Sequence, residues 1–114
     1  MLTSYRKGLL AEWLARNFLR LHGFRILASR YITGRDTGRA EIDIIACRGD
    51  LVIFVEVKRR RTDGQAIDAI TFSQSGRLRA AAEQWLRANR WLGPARFDLI
   101  VLSGTGLKWF RNAV

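Results

Sequence analysis

The chain has 114 residues, 48% of them hydrophobic and 26% charged, which is ordinary for a globular domain and excludes an intrinsically disordered chain. Its 20 Lys and Arg against 10 Asp and Glu leave a formal net charge of +10, which favours a polyanionic partner. Nucleic acid is the commonest partner of this kind, and an anionic membrane surface is the alternative.

The cysteine content and the distribution of apolar residues bear on the compartment and the domain organisation of the chain. The single cysteine, Cys47, excludes an internal disulfide and a zinc cluster of cysteines, and it suits the reducing cytoplasm. No stretch is long and apolar enough to cross a bilayer, and the residues after the basic N-terminus are too polar for a signal peptide. Because linkers, repeats and low-complexity stretches are absent from the sequence, we expect one cytoplasmic domain over residues 1–114.

Apolar residues at helical spacing predict a first helix over residues 4–22, with Thr3 or Ser4 at its start and Gly23 at its end. The residues expected on its core-facing side are Leu9, Leu10, Trp13, Leu14, Ala15, Phe18 and Leu21. The other predicted elements are strands over 24–32, 41–47 and 51–58, a second helix over 73–91, and strands over 97–102 and 107–110.

The order of these elements predicts an α/β domain. The first three strands form a meander, and the second helix then crosses over to a strand that can pair in parallel with the central one. The central strand, 51–58, is nearly all apolar, which indicates burial on both faces. We therefore expect a mixed sheet with helices packed on its faces. The inward residues of the second helix are expected to be Leu78, Ala81, Ala82, Trp85 and Leu86.

Four charged residues stand in two of the predicted strands, where alternate residues share a face. Glu41 and Asp43 point the same way in one strand, and Glu56 and Lys58 share a face of the next. A hairpin turn at residues 48–50 would place Asp43 and Glu56 roughly opposite each other. The two carboxylates and the lysine are therefore expected to form one cluster.

Two ionised carboxylates that converge on one point repel each other unless a cation lies between them, and oxygen ligands suit Mg²⁺ or Mn²⁺. Such a metal lowers the pKa of a bound water and neutralises charge on a phosphodiester, and a nearby ammonium group can orient that water. The alternative is that Glu56 and Lys58 form a weak ion pair on an exposed face. Their place directly after the apolar run 51–55 favours a functional role, because buried charges are costly unless paired or metal-bound.

The pattern Asp43 … Glu56-Val57-Lys58 resembles the PD-(D/E)XK nuclease signature, which restriction endonucleases share with archaeal-type Holliday junction resolvases. Over nearly its whole length the chain also resembles the YraN family of inferred endonucleases. The matching segments are Gly8-x-x-x-Glu12-x-x-Ala15, residues 41–46, Phe54-Val55-Glu56-Val57-Lys58-x-Arg60, Gly64-x-Ala66, Arg77-Leu78, Ala81-Ala82 and Arg96-Phe97-Asp98. The resemblance implies a three-layer, restriction-endonuclease-like fold with a mixed central sheet flanked by helices. It also implies metal-dependent endonucleolytic hydrolysis of DNA, with branched or junction DNA as a candidate substrate.

The resemblance further implies a role for each matching residue. Asp43 and Glu56 would bind Mg²⁺ or Mn²⁺, and Lys58 would be the catalytic lysine. Glu12, from the first helix, would bind a second metal ion or order a water molecule. Glu41 would lie in the outer shell around the metal, although it could equally serve only to end its strand.

Some residues have simpler explanations or depart from the family pattern. Without the resemblance, Glu12 would be interpreted as a surface residue paired with Arg16 one helical turn away. Ile42 stands where the parent signature has proline, and Ala40 stands where the family usually has glycine. Gln74 is the polar residue of the second helix expected near the site, in the outer shell around the metal, where many relatives have lysine.

Two groups of arginines are candidates for nucleic-acid binding. Arg59, Arg60 and Arg61 directly follow the motif lysine and could hold the DNA backbone near the scissile bond, or could simply form a solvated strand end. Arg35 and Arg39 lie in a glycine-rich loop that could also contact phosphate. The loop does not match a known phosphate-binding motif.

The sequence thus favours a metal-dependent DNA endonuclease. The alternative is a catalytically silent nucleic-acid-binding accessory module in DNA processing or uptake, which the net charge supports equally well. A chain of this size would need two copies to cut both strands at once, so a homodimer is expected, and no membrane partner is expected. Trp13 and Trp85 are predicted to lie in the core rather than to stack on bases.

Overall fold

The computed structural model describes residues 3–34, 39–60 and 72–113, with the side chains of residue 4 and residues 72–75 excepted. Its elements in chain order are α1 (Ser4–Leu21), β1 (Arg25–Thr33), β2 (Ala40–Arg48), β3 (Leu51–Arg59), α2 (Phe72–Ala88), β4 (Ala95–Ser103) and β5 (Gly106–Phe110). Every predicted helix and strand is found, with ends shifted by a few residues.

The strands form one mixed sheet in the order β1-β2-β3-β4-β5. The antiparallel meander of β1, β2 and β3 is as predicted, and β4 pairs in parallel with β3 after the chain has crossed over through α2. A parallel neighbour requires such a crossover because a tight turn can only reverse the chain. With α1 on one face of the sheet and α2 on the other, the molecule has an α/β, restriction-endonuclease-like layout.

Strand β3 is central and is buried on both faces, as its apolar sequence predicts. Val52 and Phe54 pack on the α2 side of the sheet, whereas Ile53 and Val55 pack on the α1 side. The same alternation along one strand therefore supplies both halves of the core. The predicted inward side of α2 is confirmed by the burial of Leu78, Ala81, Ala82 and Trp85, with Leu86 packed against them.

The ends of α1 are set by residues that the sequence marks for this purpose. Thr3 Oγ1 accepts a hydrogen bond of 3.1 Å from the Arg6 N–H, which satisfies one free donor of the first turn. At the other end Gly23 has a φ of 85°, and the Phe24 N–H donates back to the Leu19 carbonyl at 3.0 Å. Glycine adopts this left-handed conformation without steric penalty, so the helix ends there.

The predicted inner face of α1 is confirmed for Ala15, which is buried, and for Phe18, which packs against the core, and it is wrong for the other predicted residues. The side chains buried against the sheet are Ala11, Ala15 and Leu19, which recur at intervals of one helical turn. These mostly small residues let the helix axis approach the sheet closely. The other predicted residues, Leu9, Leu10, Trp13, Leu14 and Leu21, are exposed. Within the described residues, neither helix has the length and apolar character of a membrane span.

Asp98 is a fully buried residue of β4 whose side chain binds residues near the end of the chain. Its carboxylate accepts two hydrogen bonds of 2.8 Å from the Arg96 guanidinium, one of 2.9 Å from the Trp109 indole and one of 2.9 Å from the Asn112 N–H. A buried carboxylate is tolerated when its oxygens are satisfied in this way. The same contacts raise the pKa of Arg96 above its usual value.

Candidate active site

The hairpin of β2 and β3 brings the predicted acid pair together. The described register between these strands ends with Ile44 opposite Val55, so that Asp43 and Glu56 occupy the next position along. There the Val57 N–H donates to Asp43 Oδ2 at 2.8 Å. An aspartate side chain thus takes a backbone donor of the neighbouring strand, which fixes the orientation of its carboxylate at the end of the ladder.

Glu56 and Lys58 share a face of β3, as the alternation of the strand predicts. Lys58 Nζ lies 3.0 Å from Glu56 Oε1, and the glutamate is only 8% exposed. The expected alternative of a weak ion pair on an exposed face therefore fails for the glutamate, because its carboxylate is largely withdrawn from water. The lysine is partly buried and is held next to the acid pair.

Both acids of the pair are harder to ionise than usual. Burial is the main cause that raises the pKa of Asp43 from 3.8 to about 7, and the charge of Glu56 adds to it. Burial also raises the pKa of Glu56, although the Lys58 ammonium lowers it in part. Ionising both carboxylates of the pair is therefore electrostatically unfavourable.

An open cavity of about 390 Å³ lies against the acid pair, between the β2–β3 hairpin and α2. Its lining residues are Arg39, Ala40, Glu41, Asp43, Glu56, Arg77 and Leu78. Glu41 lies inside β2, opposite Ile32, so it does not end the strand. Its charge raises the pKa of both acids, which places it beside them.

Arg77 is the lining residue whose place at the site the sequence analysis did not predict. On α2 it directly precedes the buried Leu78, and its exposed side chain faces the cavity. The position of Arg77 on the helix could have predicted this, because a residue next to an inward leucine lies at the edge of the buried face. Arg39, which was predicted to contact phosphate, lines the cavity as well.

Glu12 reaches the site from α1 on the side opposite α2. Its carboxylate receives two hydrogen bonds from the Arg30 guanidinium, at 3.1 and 2.9 Å, so its described ion pair is not the one with Arg16. The charge of Glu12 raises the pKa of both Asp43 and Glu56. The helix glutamate therefore contributes to the electrostatics of the acid pair, although it does not line the cavity.

The donor chemistry of the acid pair fits a hard divalent cation. Among residues 3–34, 39–60 and 72–113, three or more His, Cys, Asp or Glu side chains nowhere gather into a group that could hold a metal by themselves. Mg²⁺ needs no such group, since one or two carboxylates, with waters and substrate phosphate oxygens, usually complete its shell. A cation between Asp43 and Glu56 would also favour their ionised forms, which burial and neighbouring carboxylates disfavour.

The remaining predicted residues are less closely tied to the cavity. Arg59 ends β3 with an exposed side chain, and the N–H of Arg60 donates to the Leu102 carbonyl at 2.9 Å, which extends the pairing with β4. Arg35 and Arg61 lie outside the described residues. Gln74 lies in α2, but its side chain is among those that the structure does not describe.

Comparison with known proteins gives a match to one family. The sequence profile of Uncharacterised protein family UPF0102 matches residues 11–102, a span that includes both acids, the motif lysine and the helix glutamate. A UPF0102 protein of Chelativorans sp. is 53% identical over 83 residues, which cover 73% of this chain and 64% of that protein. A UPF0102 protein of Mesorhizobium japonicum is 46% identical over 101 residues, covering 87% of this chain and 78% of that protein. One from Rhizobium etli is 40% identical over 106 residues, covering 91% and 84%. The match thus spans less than two thirds of the Chelativorans protein and more of the other two.

Proposed function

The chain belongs to Uncharacterised protein family UPF0102, which is the YraN family, and we propose that it is a divalent-metal-dependent endonuclease that hydrolyses DNA phosphodiester bonds. One observation carries this proposal. The carboxylates of Asp43 and Glu56 share a largely buried position beside the Lys58 ammonium, with an open cavity next to them.

The proposed metal is Mg²⁺ or Mn²⁺, held by Asp43 and Glu56. When bound, it would supply Lewis acidity that promotes ionisation of an attacking water and offsets charge on the phosphodiester. The chain itself orients the reaction. The Val57 N–H keeps the Asp43 carboxylate in one orientation, and the short contact with Glu56 keeps Lys58 beside the acid pair. From there the ammonium group can orient the water and stabilise negative charge that develops on the phosphate oxygens.

Two further acids complete the proposed centre. Glu41 lines the cavity and would act just outside the metal ligands. Glu12 would order a water molecule or bind a second metal ion, and its hydrogen bonds to Arg30 hold its carboxylate in position. If Glu12 orders a water, its contact with Arg30 would remain after metal binding, whereas binding a second metal ion would replace that contact.

The substrate class follows from charge and access. A chain with a net charge of +10 attracts the DNA backbone, and Arg39 and Arg77 on the cavity wall would contact phosphates near the scissile bond. Arg59 and Arg60 would extend this surface from the end of β3. Branched or junction DNA is the proposed structure, from the resemblance to the resolvases, and the cytoplasm is the proposed compartment. A homodimer would present two such centres to the two strands.

The test is a titration of Mn²⁺ and Mg²⁺ with labelled single-stranded, duplex, flap and four-way DNA, followed on a denaturing gel. The wild-type protein is expected to cut one or more of these DNAs only with metal, and Asp43→Asn, Glu56→Gln and Lys58→Met are expected to lose cleavage while remaining folded. Asp50→Asn is the matched control, because Asp50 is an exposed acid in the β2–β3 turn. Cleavage that survives all three site substitutions would contradict the proposal.

The same experiment separates the nuclease from the binding module. A catalytically silent accessory module would show equal, salt-sensitive gel shifts for wild type and Asp43→Asn, with no metal-dependent cut in any DNA. That result would overturn the proposed hydrolysis and would assign the acid pair a structural role.

A further inference from the structure

Helix α1 carries a second apolar surface on the side that faces away from the sheet. Leu10, Trp13, Leu14 and Leu21 recur there at helical spacing, with Trp13 52% and Leu21 86% exposed. On the opposite side the same helix is buried through Ala11, Ala15 and Leu19. A helix that is apolar on both sides is typical of one that is covered on both sides.

Part of this outer surface forms one wall of a groove. A cavity of about 610 Å³ runs between α1 and the hairpin of β4 and β5. Its lining residues are Trp13, Leu14, Asn17, Phe18, Leu21, Leu102, Ser103, Gly106 and Leu107. None of these nine lining residues is charged, on a chain with a net charge of +10. We call this surface the α1 groove.

We propose that the α1 groove is the contact surface of a homodimer, in which a second copy of the chain packs against it around a twofold axis. The surface has both parts of such a contact, because Trp13 and Leu21 line the concavity and yet remain well exposed. A surface that has exposed apolar side chains beside an apolar concavity can pair with a second copy of itself, as a twofold contact requires.

The exposed apolar area agrees with this occupant. The exposed parts of the stripe and of the groove walls amount to on the order of 500 Å², as large as the patches that mark interaction sites on monomers. A standard interface buries roughly 800 Å² on each partner, so polar residues at the rim would have to supply the remaining third. The expected contact is a dimer of ordinary size and moderate affinity.

The uncharged lining favours a second copy as the occupant. Two identical chains with a charge of +10 repel each other, and a contact through the α1 groove brings none of its nine lining residues together as like charges. An anionic bilayer, which basic residues around an apolar face would attract, is the other candidate occupant, and binding to vesicles tests it. The inference rests on the groove alone and holds whether or not the acid pair cuts DNA.

The test is sedimentation equilibrium of the metal-free protein over a concentration series. Wild type is expected to approach twice the monomer mass, and Leu14→Glu and Leu21→Glu are expected to raise the dimer dissociation constant at least about tenfold. Both leucines are exposed, so circular dichroism spectra should match that of the wild type and show that the variants fold. Leu92→Glu is the matched control, because Leu92 is 99% exposed and lies outside the groove.

Each other outcome overturns the proposal. A wild-type chain that stays monomeric throughout the series has no such dimer, and a dimer that Leu14→Glu and Leu21→Glu leave intact uses another surface. If the chain is monomeric and binds vesicles of phosphatidylglycerol, and if Leu21→Glu abolishes that binding, the groove contacts lipid. Cleavage of single-stranded DNA by a monomer would leave the proposed nuclease standing, so the two proposals can fail separately.

Discussion

Arg30 donates two hydrogen bonds to the carboxylate of Glu12 from a backbone in the left-handed conformation, with a φ of 54°. Its neighbours Ser29 and Tyr31 pair with residues 44 and 42 of β2, so Arg30 lies across from Asp43. A non-glycine residue with this φ inside a strand is strained. The left-handed conformation of Arg30 in β1 therefore lies next to the acid pair, and it directs the Arg30 guanidinium toward Glu12.

The strain at Arg30 can be tested with two small residues. Arg30→Ala and Arg30→Gly both remove the contact with Glu12, but only glycine adopts a φ of 54° freely. We expect the glycine variant to have the higher free energy of unfolding, by about 1 kcal/mol in urea denaturation. Ser29 is the control, since it has no positive φ, and there alanine should be the more stable variant. An alanine variant at position 30 that is as stable as the glycine variant would show that the backbone relaxes.

The pKa of Asp43 predicts how stability depends on pH. Because the pKa rises from 3.8 in the unfolded chain to about 7 in the folded one, the folded state binds the proton more tightly, and stability should fall as pH rises from about 4 to about 7. Asp43→Asn keeps an oxygen for the Val57 N–H and has no charge to bury. Its melting temperature should therefore exceed that of metal-free wild type by several degrees above neutral pH, and the two should converge in acid.

A divalent metal should reverse this order. Mn²⁺ is expected to raise the melting temperature of wild type more above neutral pH than in acid, because ligands must be deprotonated, and to leave Asp43→Asn nearly unchanged. Asp50→Asn, in the exposed turn, should behave as wild type in both respects. Equal stabilisation of Asp43→Asn by Mn²⁺ would contradict the assignment of Asp43 as a ligand.

Arg77 should contact phosphate from the cavity wall. In the presence of a chelator, Arg77→Ala is expected to lower the slope of log affinity against log salt by about 1 for duplex DNA of any sequence. Arg87→Ala is the control, because Arg87 lies in the last turn of the same helix, away from the cavity. Fluorescence anisotropy at several salt concentrations measures both slopes. Equal slopes for the two variants would leave Arg77 as one of many surface charges.

Asp98 should be important for stability and not for chemistry. Asp98→Asn puts an amide where four donors converge, so we expect a loss of about 3–5 kcal/mol of unfolding free energy in urea. Glu83→Gln, on the exposed side of α2, should leave stability unchanged. The tryptophan emission of Asp98→Asn should also change, because the Trp109 indole loses its acceptor. A variant as stable as wild type would contradict this role.

Much of the fold could be predicted because its signals are local. The alternation of β3 and the short turn after β2 are enough to bring Asp43 opposite Glu56. The alternation of β2 itself is interrupted at Asp43, because Ile42 packs on the α2 side of the sheet and Ile44 on the α1 side. The apolar character of β3 likewise determines that it is central. Neither prediction needs knowledge of a distant part of the chain.

Other features depend on distant surfaces and could not be predicted. The sequence of α1 has two apolar stripes, and periodicity alone does not tell which of them meets the sheet. The stripe with Ala11 and Ala15 packs against the sheet, so the predicted inward position of Trp13 was wrong. The pairing of Glu12 with Arg30 depends in the same way on how β1 passes the helix. Of the site, the acid pair and lysine were predicted, and the second wall with Arg77 was not.

The short β2–β3 turn also has a consequence for the order of folding. Only Gly49 and Asp50 separate the two strands, so this hairpin can form within microseconds, whereas β4 must wait for α2 to cross over. We therefore expect Asp43 and Glu56 to meet while both are still in water, where the high dielectric constant screens their repulsion. Their mutual repulsion reaches its full strength only when α2 closes over the hairpin, so the packing of α2 must offset it.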